Sequence, residues 1–136
     1  MQLPSWLLSE ASLRAHRLLT AALADVGARG YHYRLLAALT EFGPASQAQL
    51  GRRTGMDRSD VVAAVNELVG RGLADRSPDP ADGRRNIITI TPAGTAHLRR
   101  LEELLDDVQN ELLAPLSPAE RQQLIHLLTR ILERHA

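Results

Sequence analysis

Apolar residues recur at helical spacing along most of this chain, and glycine or proline interrupts the recurrence at intervals. Trp6, Leu7, Leu13, Leu18, Ala22 and Val26 keep to helical spacing in a helix expected from about Ser5 to Val26, ended by Gly27 and Gly30. A second helix is expected from about Tyr31 to Phe42, stopped by Gly43-Pro44. Ser46 followed by Gln49 has the spacing of a capping box and opens a short helix that ends at Gly55. Asp57 reads as the N-cap of a fourth helix running to about Gly70, with Asp60 in its first turn.

The period then changes. Leu73 to Arg76 reads as a short strand, SPDPADGRRN as a loop, and the β-branched run Ile87–Ile90 as the return strand of a hairpin. Thr91-Pro92 follows as N-cap and first residue of a long helix. Its Leu98, Leu101, Leu105, Val108 and Leu112 step by 3, 4, 3 and 4, the seam of a coiled coil. Ser117 and Glu120 open a last helix that carries Leu124, Leu127, Leu128, Ile131 and Leu132. The expected order is α-α-α-α-β-β-α-α. This is a mainly α (α+β) protein in which two short helices and a hairpin form a winged helix-turn-helix head. The flanking helices are too apolar to lie alone, and the outer ones are expected to pair with a second copy. The expected division is a dimerisation helix over 1–30, the head over 31–92 and dimerisation helices over 93–136. Within the head, the recognition helix is expected at about 58–70 and the wing at about 73–91.

Composition narrows the functional classes. The 136 residues contain no Cys, which excludes disulfides and thiolate metal sites and suits a cytoplasmic protein. No apolar run approaches the ~20 residues of a membrane span, and MQLPSWLLSE lacks the pattern of a signal peptide. All sixteen basic residues are Arg, which coding bias explains better than function does, so Arg richness is no sign of a nucleic-acid partner. Sixteen acids balance them, and by thirds the charge is +1 over 1–43, +1 over 44–92 and −2 over 93–136. A nucleic-acid partner must therefore be recognised by where the charges point.

Val61, Val65 and Leu68 form the core face of the fourth helix, at 100° per residue. The opposite face carries Ser59, Ala63 and Asn66 with Val62 beside them, and Arg58 stands in the first turn. Small residues admit close approach to a major groove, Asn66 can take adenine bidentately, and Val62 can meet a thymine methyl. Asp82-Gly83-Arg84-Arg85 forms the hairpin tip. There Arg84 and Arg85 can reach a minor groove, and Asp82 can fix an Arg by a charge-assisted bond. Ser46, Gln47, Arg52, Arg53 and Thr54 are further candidates for phosphate contacts.

The run GLADRSPDPADGRRNIITITPAG resembles the wing of the MarR family of winged-helix transcription regulators, through Arg76, Asp79, Pro80, Asp82, Arg84, Thr91 and Gly94. The resemblance is close over about 31–115. Two residues depart from the family pattern. Gly83 stands where the first wing Arg is usual, so Arg84 is favoured over Arg85, and Gly51 stands where Ala is usual. The resemblance implies a homodimer through helix 1 and the last two helices. It also implies binding to a pseudo-palindrome in double-stranded DNA, usually as a repressor. It further implies release by a small aromatic or lipophilic effector held between the dimer helices and the head. By position, the effector residues are Trp6, Arg14, His16, Tyr31, His32 and Tyr33, an aromatic wall with cationic groups. Packing at the junction of the first two helices is the competing reading of the same residues.

No cofactor and no metal are expected. The five His, at 16, 32, 97, 126 and 135, make no i, i+4 pair and no HExxH. Neither a phosphate loop nor a G-x-S-x-G elbow occurs, so an enzyme is not expected. The alternative is a winged-helix module for protein–protein contact. The wing Arg and the small, polar groove face argue against it, because a protein-binding helix more often exposes Leu, Met or Phe.

Overall fold

The described residues, 2–136 of a computed structural model, form six helices and three strands. In order they are α1 (Pro4–Ala24), α2 (Gly30–Phe42), β1 (Ala45–Ser46), α3 (Gln47–Thr54), α4 (Arg58–Gly70), β2 (Ala74–Pro78), β3 (Asn86–Ile90), α5 (Pro92–Leu112) and α6 (Pro118–Arg134). Every expected helix forms. The expected order lacked one element, β1. It pairs antiparallel with β3, Ala45 opposite Ile88 and Ser46 opposite Ile87, so the sheet runs β1-β3-β2. Two residues between Pro44 and a helix carry no readable period. Their strand conformation comes from tertiary pairing, and it covers the central strand on its second side. Ile88 is fully buried as a result. The hairpin strands differ slightly from expectation, β2 lying later and β3 starting one residue earlier, at Asn86. β2 starts at Ala74 rather than Leu73 and extends to Pro78, where a missing N–H is tolerated on an edge strand.

The head is built on the buried face of α4. Val61, Val65 and Leu68 pack with Leu35 and Leu36 of α2, Leu50 of α3, Ile88 of β3 and Leu101 of α5. Each such side chain contributes about 1.5–3 kcal/mol by leaving water. α3 starts with the expected capping box, because Ser46 Oγ accepts from Gln49 N at 3.2 Å while Gln49 Oε1 accepts from Ser46 N at 2.9 Å. It ends at Gly55, whose φ of 69° is the left-handed turn that swings the chain into α4. Asp57 occupies the N-cap of α4 but does not cap it. Its carboxylate accepts instead from Ser59 Oγ at 2.8 Å.

The seam of α5 is buried at Leu98, Leu101 and Val108, with Leu105 packed beside them, and α5 lies along α1. Thr91 caps α5 through Gly94 N at 3.0 Å. Ser117 caps α6 through Glu120 N at 3.2 Å. α6 buries none of its residues in the single chain, and it leaves Ile125, Leu127, Ile131 and Leu132 exposed. α1 leaves Trp6, Leu7, Leu8 and Leu13 exposed, as is Leu3 at its N-cap. No helix among the described residues is long and apolar enough to cross a membrane.

Candidate nucleic-acid interface

A concave cleft of about 700 Å³ opens between α3, the start of α4 and the wing. Arg52, Arg58, Arg84 and Arg85 line it together with Ser46, Gln47, Ala48, Gly51, Met56, Val62 and Asn86. Four of these eleven residues are cationic and none is acidic, so the cleft is strongly positive although the chain as a whole is neutral. Low-dielectric walls around charges of one sign focus their field outward.

Two aspartates shape the wing. Asp79 Oδ1 accepts from Ala81 N at 2.9 Å and Asp82 Oδ1 from Arg84 N at 3.1 Å, the local turns expected of such residues. The Asp79 N–H donates to Arg85 O at 2.8 Å and closes the loop. Arg84 then projects into solvent with its side chain 97% exposed, and only a loose 3.8 Å ion pair to Asp82 restrains it. Arg85 turns back and donates from Nη2 to Ser46 Oγ at 3.0 Å, tying the wing to the start of α3.

Seven of the twelve residues singled out for DNA thus line one cleft: Ser46, Gln47, Arg52, Arg58, Val62, Arg84 and Arg85. Hydrogen bonds between elements narrow two of the roles expected from sequence. Ser46 is buried, and its hydroxyl oxygen accepts from both Gln49 N and Arg85, so it organises the cleft and keeps only its O–H to donate. Asn66 lies exposed one turn beyond Val62, but its Oδ1 accepts from Arg76 Nη2 at 2.6 Å. One of the two acceptor positions on that carbonyl is therefore taken by a cation, which leaves the second beside a positive charge. Ser59 and Ala63 are exposed on α4 but lie outside the cleft. Arg53 stacks on Phe42, 5.0 Å from the ring centroid. Asn86, directly after the wing arginines, also lines the cleft, and no signal in the sequence singles it out. Arg76 was matched only as part of a motif, since nothing in sequence links it to a residue ten positions earlier on another element.

The six effector candidates do not form one pocket within a chain. Tyr31 and His32 line a crevice of about 50 Å³ with Arg29, Asp60, Ala63, Ala64 and Glu67. Trp6, Arg14 and His16 stand exposed on α1, where Arg14 pairs with Glu10 at 3.1 Å, and Tyr33 packs against the core. His32 is buried and both ring nitrogens are engaged. Nδ1 accepts from Arg29 N at 3.2 Å, which leaves Nε2 as the donor to Glu67 Oε2 at 2.7 Å. His32 therefore links α2 to α4 and offers no free nitrogen to a ligand. Nearby, burial holds the pKa of His97 below its ordinary value, helped by the charges of Arg71 and Arg100. Among the described residues no group of three or more His, Asp or Glu side chains converges as a metal site.

The fold and sequence place this architecture among known proteins. A family model described as MarR family matches residues 24–85, from the end of α1 to the wing tip. The HTH-type transcriptional repressor NicR of Pseudomonas putida is 32% identical over 98 residues, covering 72% of this chain and 62% of NicR. The chain thus spans about three-fifths of that relative's length. A solved structure of a probable transcriptional regulator from Pseudomonas aeruginosa superposes with a TM-score of 0.83 at 35% identity, over 96% of this chain and 97% of that one. BpsR of Bordetella bronchiseptica was solved to explain how 6-hydroxynicotinic acid regulates its DNA binding. It superposes with a TM-score of 0.82 at 26% identity, over 96% of this chain and 93% of that one. These relatives are transcriptional regulators and not enzymes. The chain belongs to the MarR family.

Proposed function

We propose that this protein is a homodimeric, DNA-binding transcriptional repressor that docks the start of α4 in a major groove and carries Arg84 of the wing to the flanking minor groove. The observation that carries the reading is the cleft with four arginines and no carboxylate, formed in a chain of zero net charge. Arg52, Arg58 and Arg85 neutralise phosphates in this arrangement, and Val62 faces the bases. The name of NicR supports the repressor assignment. The dimer is supported by the apolar faces of α1 and α6, where Trp6 is 59% and Leu132 70% exposed. A two-fold axis through those helices presents two recognition helices to a pseudo-palindromic operator.

The salt dependence of binding to labelled genomic duplexes tests the reading. The double variant Arg52→Ala/Arg58→Ala removes two phosphate contacts and lowers the log–log slope by about two. Equal slopes for the variant and the parent contradict the assignment of this cleft.

An aromatic acid is the expected effector, supported by the behaviour described for BpsR. Tyr31 at the crevice and Trp6, Arg14 and His16 on α1 supply aromatic and cationic groups on helices that meet a partner copy in the proposed dimer. Trp6 is the sole Trp, so its fluorescence reports binding directly. Hydroxynicotinate or hydroxybenzoate is expected to change that emission and release DNA. No change in either signal across a panel of such acids removes the effector from the account.

A further inference from the structure

The pair Asn66–Arg76 joins the recognition helix to the wing, and its chemistry specifies more than a contact. Asn66 sits on the face of α4 opposite the buried Val61, Val65 and Leu68, one turn beyond Val62 of the cleft. Arg76 reaches it from β2, the edge strand of the sheet, and donates from Nη2 to Oδ1 at 2.6 Å. Both residues are exposed. A guanidinium has five N–H donors and no acceptor, so the amide atom facing it must be the carbonyl oxygen. The orientation of Asn66 is thereby fixed by chemistry. Its NH2 group, which makes no hydrogen bond among the described residues, remains for a partner.

We propose that Asn66 and Arg76 act as one donor-only reader that selects guanine over adenine at the base pair facing it. This rests on the DNA-binding reading above and gives that reading its base preference. An unencumbered Asn suits adenine, because its oxygen accepts from N6–H while its NH2 donates to N7. Here that oxygen already accepts from a cation. The oxygen keeps a second lone pair, but an adenine amino group approaching it arrives beside the guanidinium and its positive charge, which disfavours that pairing relative to a pair of acceptors. Guanine presents two acceptors, N7 and O6, on the same edge. Asn66 Nδ2 and the unused guanidinium N–H groups donate to both without conflict. Arg76 is a specificity determinant through its own donors and through its hold on Asn66.

The test compares full-length wild type, Asn66→Ala and Arg76→Met on duplexes that the wild type enriches from a random pool, with each position then changed to all four bases. Both side chains are exposed and distant from the core, so both variants keep the fold. The facing pair is the one at which Asn66→Ala loses its preference. There the wild type is expected to bind guanine roughly tenfold more tightly than adenine. Arg76→Met frees the amide oxygen and is expected to shift that same position toward adenine. Adenine preferred by the wild type at that pair overturns the proposal. So does an unchanged guanine-to-adenine ratio in Arg76→Met, or an Asn66→Ala variant with an unaltered motif. If the wild type enriches no duplex, the DNA-binding reading itself falls and this proposal falls with it.

Discussion

Glycines 51 and 94, both helical, meet opposite surroundings, and replacing each with Ala is expected to move stability in opposite directions. Gly94 is buried in the first turn of α5. A Cβ there comes within 2.0 Å of the Leu73 carbonyl oxygen and 2.8 Å of Ile90 Cγ1. The Leu73 backbone has little freedom to retreat, because its oxygen accepts from Thr91 N at 3.2 Å and its nitrogen donates to Leu68 O at 2.9 Å. A displacement of more than about 1 Å is needed, which sits at the top of the ~1–3 kcal/mol range for overpacking. The better helix propensity of Ala returns about 1 kcal/mol, so Gly94→Ala is expected to lose at least about 2 kcal/mol. At Gly51 the added methyl meets Met56 O at 3.6 Å and Val61 Cγ2 at 3.8 Å, which are ordinary contacts. Gly51→Ala therefore keeps the propensity gain of about 0.5–1 kcal/mol. Urea unfolding at one fixed protein concentration measures both, since dimerisation makes the midpoint concentration-dependent. With an m-value of about 2 kcal/mol per M, Gly94→Ala lowers the midpoint by about 1 M or more. A Gly94→Ala midpoint within about 0.2 M of the parent refutes the close approach between the wing base and α5.

Three further outcomes follow from single contacts. Arg84→Ala is expected to lower the salt slope of DNA binding by about one and to weaken all sequences alike, read by anisotropy across a salt series. An unchanged slope means the wing tip does not reach the duplex. Ser46→Ala removes both the α3 cap and the anchor of Arg85, and is expected to cost about 1–2 kcal/mol in urea unfolding. His97 has a folded-state pKa below its ordinary value of 6.5, so the unfolded chain binds the additional proton first. Stability is then expected to fall as pH drops from about 6.5 through the folded pKa. His97→Gln should flatten that part of the curve in thermal unfolding at several pH values. A parent curve already flat over that interval contradicts the burial of this imidazole.

Local chemistry made the helices legible in the sequence. Ser46/Gln49 and Ser117/Glu120 are capping boxes that the backbone uses as written, and Gly55 turns α3 into α4 through its left-handed φ. The seam of α5 was equally readable, because Leu98, Leu101 and Val108 are buried where period and burial coincide. β1 was not, because two residues have no period and owe their conformation to Ile87 and Ile88 about forty positions later. The cleft was legible as a set of residues and illegible in its hydrogen-bond assignments. Arg85 to Ser46 and Arg76 to Asn66 are side-chain bonds between elements, and each changes what its acceptor has left to offer. The same reason limits the effector residues. His32 is spent on Glu67 and Arg29, while Trp6, Arg14 and His16 face outward from a single chain.

Enrichment of bound duplexes from a random pool at about 0.15 M salt, with the mass of the bound protein measured on the same sample, tests the central claim most directly. The account predicts an inverted repeat with half-sites one helical turn apart, ~34–36 Å, or a multiple of that, occupied by two chains of 14.9 kDa each. A folded protein that stays monomeric, or a dimer that enriches no sequence, contradicts it.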